Sequence, residues 1–116
     1  MTYVDGFVIA VPTANRAAYQ KIAEDAAIVF KEYGALKVVE CWGDDIPDGK
    51  LTSFPMAVKC EENETVVFAW IVWPSREVRD VGNQKVMADP RMQQPETMPF
   101  DSKRMIYGGF ETIVES

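Results

Sequence analysis

The side chains that could do chemistry are few, and the first fact about them is a gap: the chain of 116 residues has no histidine. That removes the commonest general base, the triads built on imidazole and the imidazole metal sites. What remains is two acids and one base in or beside apolar stretches, Asp5, Glu40 and Arg104. A carboxylate partly withdrawn from water has a raised pKa and can take a proton, while a guanidinium can steady an oxyanion. Asp5 or Glu40 as base with Arg104 beside it would suit a cofactor-free oxygenase or isomerase. The competing and commoner role for such residues is an edge charge or a cross-strand ion pair.

Aromatic residues supply a second set. Trp42, Trp70 and Tyr107, with Cys41, could wall a pocket for a small ligand, since such pockets are aromatic with a few polar groups. Plain core or interface packing would use the same residues. Cys41 and Cys60 lack the close spacing of a redox or zinc motif and read as small buried hydrophobes or inert thiols. Asp44, Asp45 and Asp48 lack the ligand series of a calcium loop and read as a solvated turn. Gly108-Gly109 stands inside a strand and opens no helix, so it is not a phosphate loop. No metal site and no cofactor is called for.

These residues must be held by strands and helices that the patterning marks out. From Val66 to Trp73 eight residues in a row are apolar, a strand with no wet face. Tyr3 to Val11 is a second apolar strand, closed by Pro12 and by Thr13 as a helix N-cap. Ala18, Tyr19, Ile22, Ala23, Ala26, Val29, Phe30 and Tyr33 recur at helical spacing, and Gly34 ends that helix. Leu36 to Trp42 is a shorter strand whose Lys37 and Glu40 suit a sheet edge. The excursion from Gly43 to Glu64 holds an Asp-Gly turn and an expected short strand from Phe54 to Cys60, hairpinned onto Val66–Trp73. Its length predicts that it packs on the body.

Trp73-Pro74-Ser75 repeats the junction Val11-Pro12-Thr13, a strand running through proline to an N-cap. It opens a second helix from Arg76 to about Met87, with Val78, Val81 and Val86 as its apolar set and Gly82 allowing a close approach to the sheet. Asp89 to Ser102 is a loop whose Met92, Met98 and Phe100 predict contact with the body, among Pro90, Pro95 and Pro99. Lys103 to Thr112 is the last strand, with a bulge or close approach at Gly108-Gly109.

The order strand, helix, strand, strand, helix, strand divides into two halves of the ferredoxin-like βαββαβ type, an α+β fold in one domain, residues 1–116. The two most apolar strands fall in the centre of an antiparallel sheet, with both helices on one face. The other face would expose an apolar patch too large for a monomer, so a homodimer with facing sheets is expected. A formal charge of -6 repels phosphate backbones and anionic lipid, which argues against nucleic acid and membrane as partners. The lack of an apolar run long enough to span a bilayer, of a leader-like segment and of paired cysteines reads as cytoplasmic.

The stretches Tyr3-Val-Asp-Gly-Phe7, Glu40-Cys-Trp-Gly-Asp-Asp45, Ser53-Phe-Pro55, Trp73-Pro-Ser75, Asp89-Pro-Arg-Met92, Met98-Pro-Phe-Asp101 and Lys103-Arg-Met-Ile-Tyr-Gly-Gly-Phe110 span nearly the whole chain. In them it closely resembles the YbaA-like family, small bacterial proteins grouped as a domain of unknown function. Ser102, where the family pattern has glycine, is the departure, and it touches only a turn. The resemblance implies a dimeric α/β-barrel and brings no activity. A name tied to signal-recognition-particle RNA, which some relatives carry, finds no support in so acidic a chain. The expected function is small-molecule binding by a homodimer. A cofactor-free enzyme comes next, then a structural interaction module whose interior has no cavity, and RNA binding last.

Overall fold

The chain runs β1 (Tyr3–Pro12), α1 (Arg16–Glu32), β2 (Lys37–Trp42), α2 (Phe54–Ala57), β3 (Glu64–Trp73), α3 (Arg76–Ala88) and β4 (Ile106–Glu111). These elements come from a computed structural model that describes residues 1–93 and 98–116. Four strands form one antiparallel sheet in the order β2-β3-β1-β4. The long apolar strands β1 and β3 pair along their whole length in the middle, and the short strands take the edges. Composition and topology therefore agree, because a central strand loses water from both of its edges and faces.

Register sorts the side chains. Glu40, Ala69, Phe7 and Tyr107 are paired neighbours and form one row across the sheet, while Cys41, Phe68, Val8 and Ile106 form the next, on the opposite face. On the first face Ile9, Val11, Val67, Ala69, Ile71 and Trp73 are all buried. Tyr19 of α1 packs there with Ile9, Val11, Val67 and Ala69. Gly82 of α3 lies against Trp73, so closely that a Cβ at that glycine would come within 2.4 Å of the indole. Both long helices thus cover the same face, and the close approach expected at Gly82 is present. Ser75 caps α3, its hydroxyl accepting from Val78 N at 3.2 Å.

Several local expectations are corrected. Phe54 to Cys60 is no strand: Ser53 accepts from Met56 N and α2 opens with a proline in its first turn, a start signal that outweighs the β-type residues Val58 and Cys60. Thr13 does not cap α1. Its hydroxyl pairs with that of Thr65 at 2.7 Å, and the helix enters through a 3-10 turn over Thr13–Asn15 without a side-chain cap. Cys41 is exposed rather than buried. Val78 and Val81 are 37% and 52% exposed, so Gly82 and Val86 are the buried residues of α3. Lys103 and Arg104 belong to a 3-10 turn before β4. Gly109 makes a close approach, with Tyr3 Oη 2.4 Å from where its Cβ would be, but pairing runs through Gly108 and Gly109 without a bulge.

The second face is not wholly bare, as the expectation of a single-sided sheet had it. The excursion crosses one end of it, where Val58 is buried against Ala10 and Val66 and Phe54 meets Phe68 edge-on at 5.8 Å. Beyond that end Phe68, Ile106 and Phe110 remain 41%, 44% and 62% exposed. The loop after α3 does lie against the body: Phe100 packs edge-on to Tyr19 at 5.6 Å, and Pro99 O accepts from Asn15 Nδ2 at 2.9 Å. Pro95 lies outside the described residues.

Candidate functional site

The helix face holds a cleft. Along α1, Tyr19, Ala23 and Ala27 succeed one another at four-residue spacing and face the sheet over Val38 and Glu40 of β2. Two alanines where larger side chains would touch the strands leave an open groove between helix and sheet. Its outer lobe, about 420 Å³, is lined by Arg16, Tyr19, Gln20, Glu40 and Trp42. An inner lobe of about 430 Å³ shares Tyr19, Ala23, Ala27, Val38 and Glu40, and is otherwise walled mainly by apolar side chains such as Ile22, Phe30, Met98, Phe100 and Met105.

Where the lobes meet, Tyr19 Oη donates to Glu40 Oε1 at 2.6 Å. Burial and the neighbouring carboxylate push the phenol far up, so Tyr19 stays a donor. Crowding by protein pushes the Glu40 carboxyl up, and the Tyr19 hydrogen bond only partly offsets it. Glu40 therefore holds its proton to a higher pH than a solvated glutamate, although its outer side meets solvent. The Arg16 guanidinium lies over the Trp42 ring, 5.2 Å from its centroid, a cation–π contact at the rim.

The other expected site residues lie elsewhere. Asp5 is 4% exposed and its carboxylate is fully engaged, receiving Trp73 Nε1 at 3.0 Å and Arg79 at 2.8 and 3.1 Å. Arg104 reaches both oxygens of Glu64 at 2.7 Å, Lys59 O at 2.8 Å and Asp101 at 3.1 Å. Asp5, Glu40 and Arg104 thus serve three separate networks. The aromatic set is scattered. Trp42 lines the outer lobe of the cleft, and Cys41 beside it belongs to the row of the opposite face. Trp70 borders a shallow concavity of about 710 Å³ at the open face, and Tyr107, in the row of the helix face at the sheet edge, stacks on Phe7 with ring centroids 6.3 Å apart. Sequence reasoning passed over Tyr19, Arg16, Ala23 and Ala27 as site residues. The available signal was the pair of alanines in register with an acid-bearing strand. Asp44, Asp45 and Asp48 are exposed, and no cluster able to hold a metal ion occurs among the described residues.

A family model described as "Protein of unknown function (DUF1428)" matches residues 2–102. The chain belongs to this DUF1428 family. It is 64% identical over 116 residues, covering 99% of each chain, to "Uncharacterized protein YbaA" of Escherichia coli K12, and equally to the protein of that name in Shigella flexneri. In this DUF1428 chain most stretches that carry the resemblance have structural work. Asp5 of Tyr-Val-Asp-Gly-Phe binds Trp73 of Trp-Pro-Ser. Asp89 of Asp-Pro-Arg-Met accepts from Tyr33 Oη at 2.8 Å and from the Arg91 backbone and guanidinium at 2.8 to 3.0 Å. Asp101 caps the turn that presents Arg104 to Glu64. Glu40 of the Glu-Cys-Trp stretch is the exception, an acid facing a cleft.

Proposed function

We propose that this protein binds a small molecule in the cleft between α1 and β2, as one half of a homodimer of ferredoxin-like βαββαβ build closed into an α/β-barrel. The observation that carries the binding reading is the Tyr19–Glu40 pair where an outer lobe rimmed by Arg16, Gln20 and Trp42 meets an inner lobe whose walls are otherwise largely apolar. A few polar groups converging in a largely apolar hollow are what a ligand site needs. The barrel reading is supported by the strand order β2-β3-β1-β4 and by the uncharged open face of Val4, Val8, Phe68, Trp70, Ile106 and Phe110. A second copy of that face would cover it.

The test is a thermal-melt screen against small metabolites with an Ala27→Leu variant in parallel. Leucine at 27 fills the junction of the lobes, so a true ligand of the cleft raises the melting temperature of the natural chain and not of the variant. If every stabilising compound acts equally on both, the cleft is not the site. The raised pKa of Glu40 favours a second reading, a cofactor-free enzyme with Glu40 as base. Asp5 and Arg104 take no part in it, since each is committed to its own network. Turnover that survives Glu40→Gln would remove this reading.

A further inference from the structure

The cleft has a charge it does not balance. Tyr19 spends its proton on Glu40 Oε1, and among the described residues the second carboxylate oxygen has no hydrogen-bond partner. Among the described residues no cation is near enough to pull the Glu40 carboxyl down, and there Tyr19 alone opposes the effect of burial. The cleft's two arginines are turned to other uses. Arg16 stacks on Trp42, and Arg91 is tied to Asp89 and Glu32. Among the remaining acids at the rim, Asp25 pairs with Lys21 and Glu24 accepts from Gln20. Glu40 is thus a carboxylate without a counter-ion at the neck of a hollow lined by Ile22, Phe30, Met98, Phe100 and Met105.

Glu40 keeps its outer side to solvent, but on the cleft side its free oxygen can take a donor, and a charged donor gains more than a neutral one because the hydrogen bond is charge-assisted. An anionic ligand would meet like charge. We propose, on the reading of the cleft as the ligand site, that its ligand is an organic cation: a primary ammonium or amidinium seated on Glu40, carried by an apolar or aromatic body that fills the inner lobe. The thioethers of Met98 and Met105 suit that body, since methionine adapts to irregular shapes and contacts aromatic rings favourably.

Three probes of one shape separate the charge from the body: 2-naphthylmethylamine, 2-naphthylmethanol and 2-naphthoate, each titrated calorimetrically into the full chain at neutral pH. The amine should bind about tenfold or more tighter than the alcohol, the difference between a charged and a neutral hydrogen bond. Naphthoate should bind more weakly than either. Glu40→Gln keeps an acceptor for Tyr19 and so keeps the fold, which its own melt checks. It should bring the amine down to the affinity of the alcohol while leaving the alcohol unchanged. Naphthoate binding as tightly as the amine, or an amine preference that survives Glu40→Gln, overturns the inference and leaves the cleft reading standing, provided Ala27→Leu abolishes alcohol binding. Failure of all three probes to bind overturns both.

Discussion

Asp5 is the residue whose burial demands most explanation. A carboxylate this far from water survives because Trp73 and Arg79 supply its hydrogen bonds, and because Gly109 leaves room for Arg79 and Tyr3 beside it. Arg79→Met removes the charge partner and leaves the acid stranded, at a cost of about 3 kcal/mol or more. Equilibrium urea unfolding measures it, and the double variant Arg79→Met with Asp5→Leu should lose less than the sum of the two single changes. An additive result would mean that the pair is not coupled. Lys59 is a second residue under constraint, held at φ 50° at the end of α2. Lys59→Gly should stabilise by up to about 1 kcal/mol, because a side chain is costly in the left-handed region and Arg104 uses only the backbone oxygen there.

Among the elements, α3 is held to the sheet by the absence of a side chain. Gly82 sits on the Trp73 indole and beside Tyr33 O, so Gly82→Ala must push the helix outward. The expected loss is about 1–3 kcal/mol, read as a lower urea midpoint, although alanine is the better helix former. A neutral or stabilising result would show that α3 is loosely docked. On α1 the reverse holds at Ala23 and Ala27, where small residues leave space rather than permit contact. The two helices show the same physical device, a residue of minimal size facing the sheet, with opposite outcomes. Trp73 rises to meet Gly82, whereas Val38 and Glu40 leave the space below Ala23 and Ala27 open.

For the whole molecule, two properties follow from distributed features. Arginine and tyrosine partners hold Asp89 well below the usual carboxylate range, and arginine partners lower Glu32 and Glu64. Acids with depressed folded-state pKa values contribute stability above their unfolded values near about 4, and that contribution is lost as pH falls. Glu40 acts in the opposite sense, its raised pKa making the fold more tolerant of acid than of neutral pH at that one site. The melting temperature should fall as pH drops below about 4, and Asp89→Asn should flatten the slope. The second property is assembly: if the open sheet face joins two copies, Phe68→Asp with Phe110→Glu should yield a monomer in sedimentation equilibrium where the natural chain is a dimer. An unchanged mass for the variant would assign the interface elsewhere.

The sequence by itself determined the α+β class, the four strands of the sheet, two long helices and the central position of β1 and β3, because unbroken apolar runs and a helical period leave little freedom about what must be buried. It also made Gly82, Gly34 and Ser75 legible, each a local requirement of one turn or contact. It misread Phe54–Cys60 and Thr13, where a few residues carry two competing local signals and packing chooses between them. Only the tertiary structure decided that Asp5 and Arg104 are bound up in networks while Glu40 faces a cleft. The partners of those three come from residues distant in the chain: Trp73 and Arg79 for Asp5, Glu64 for Arg104, and Tyr19 for Glu40. Whether a charged side chain is spent or free depends on what folding brings beside it, and no local pattern records that.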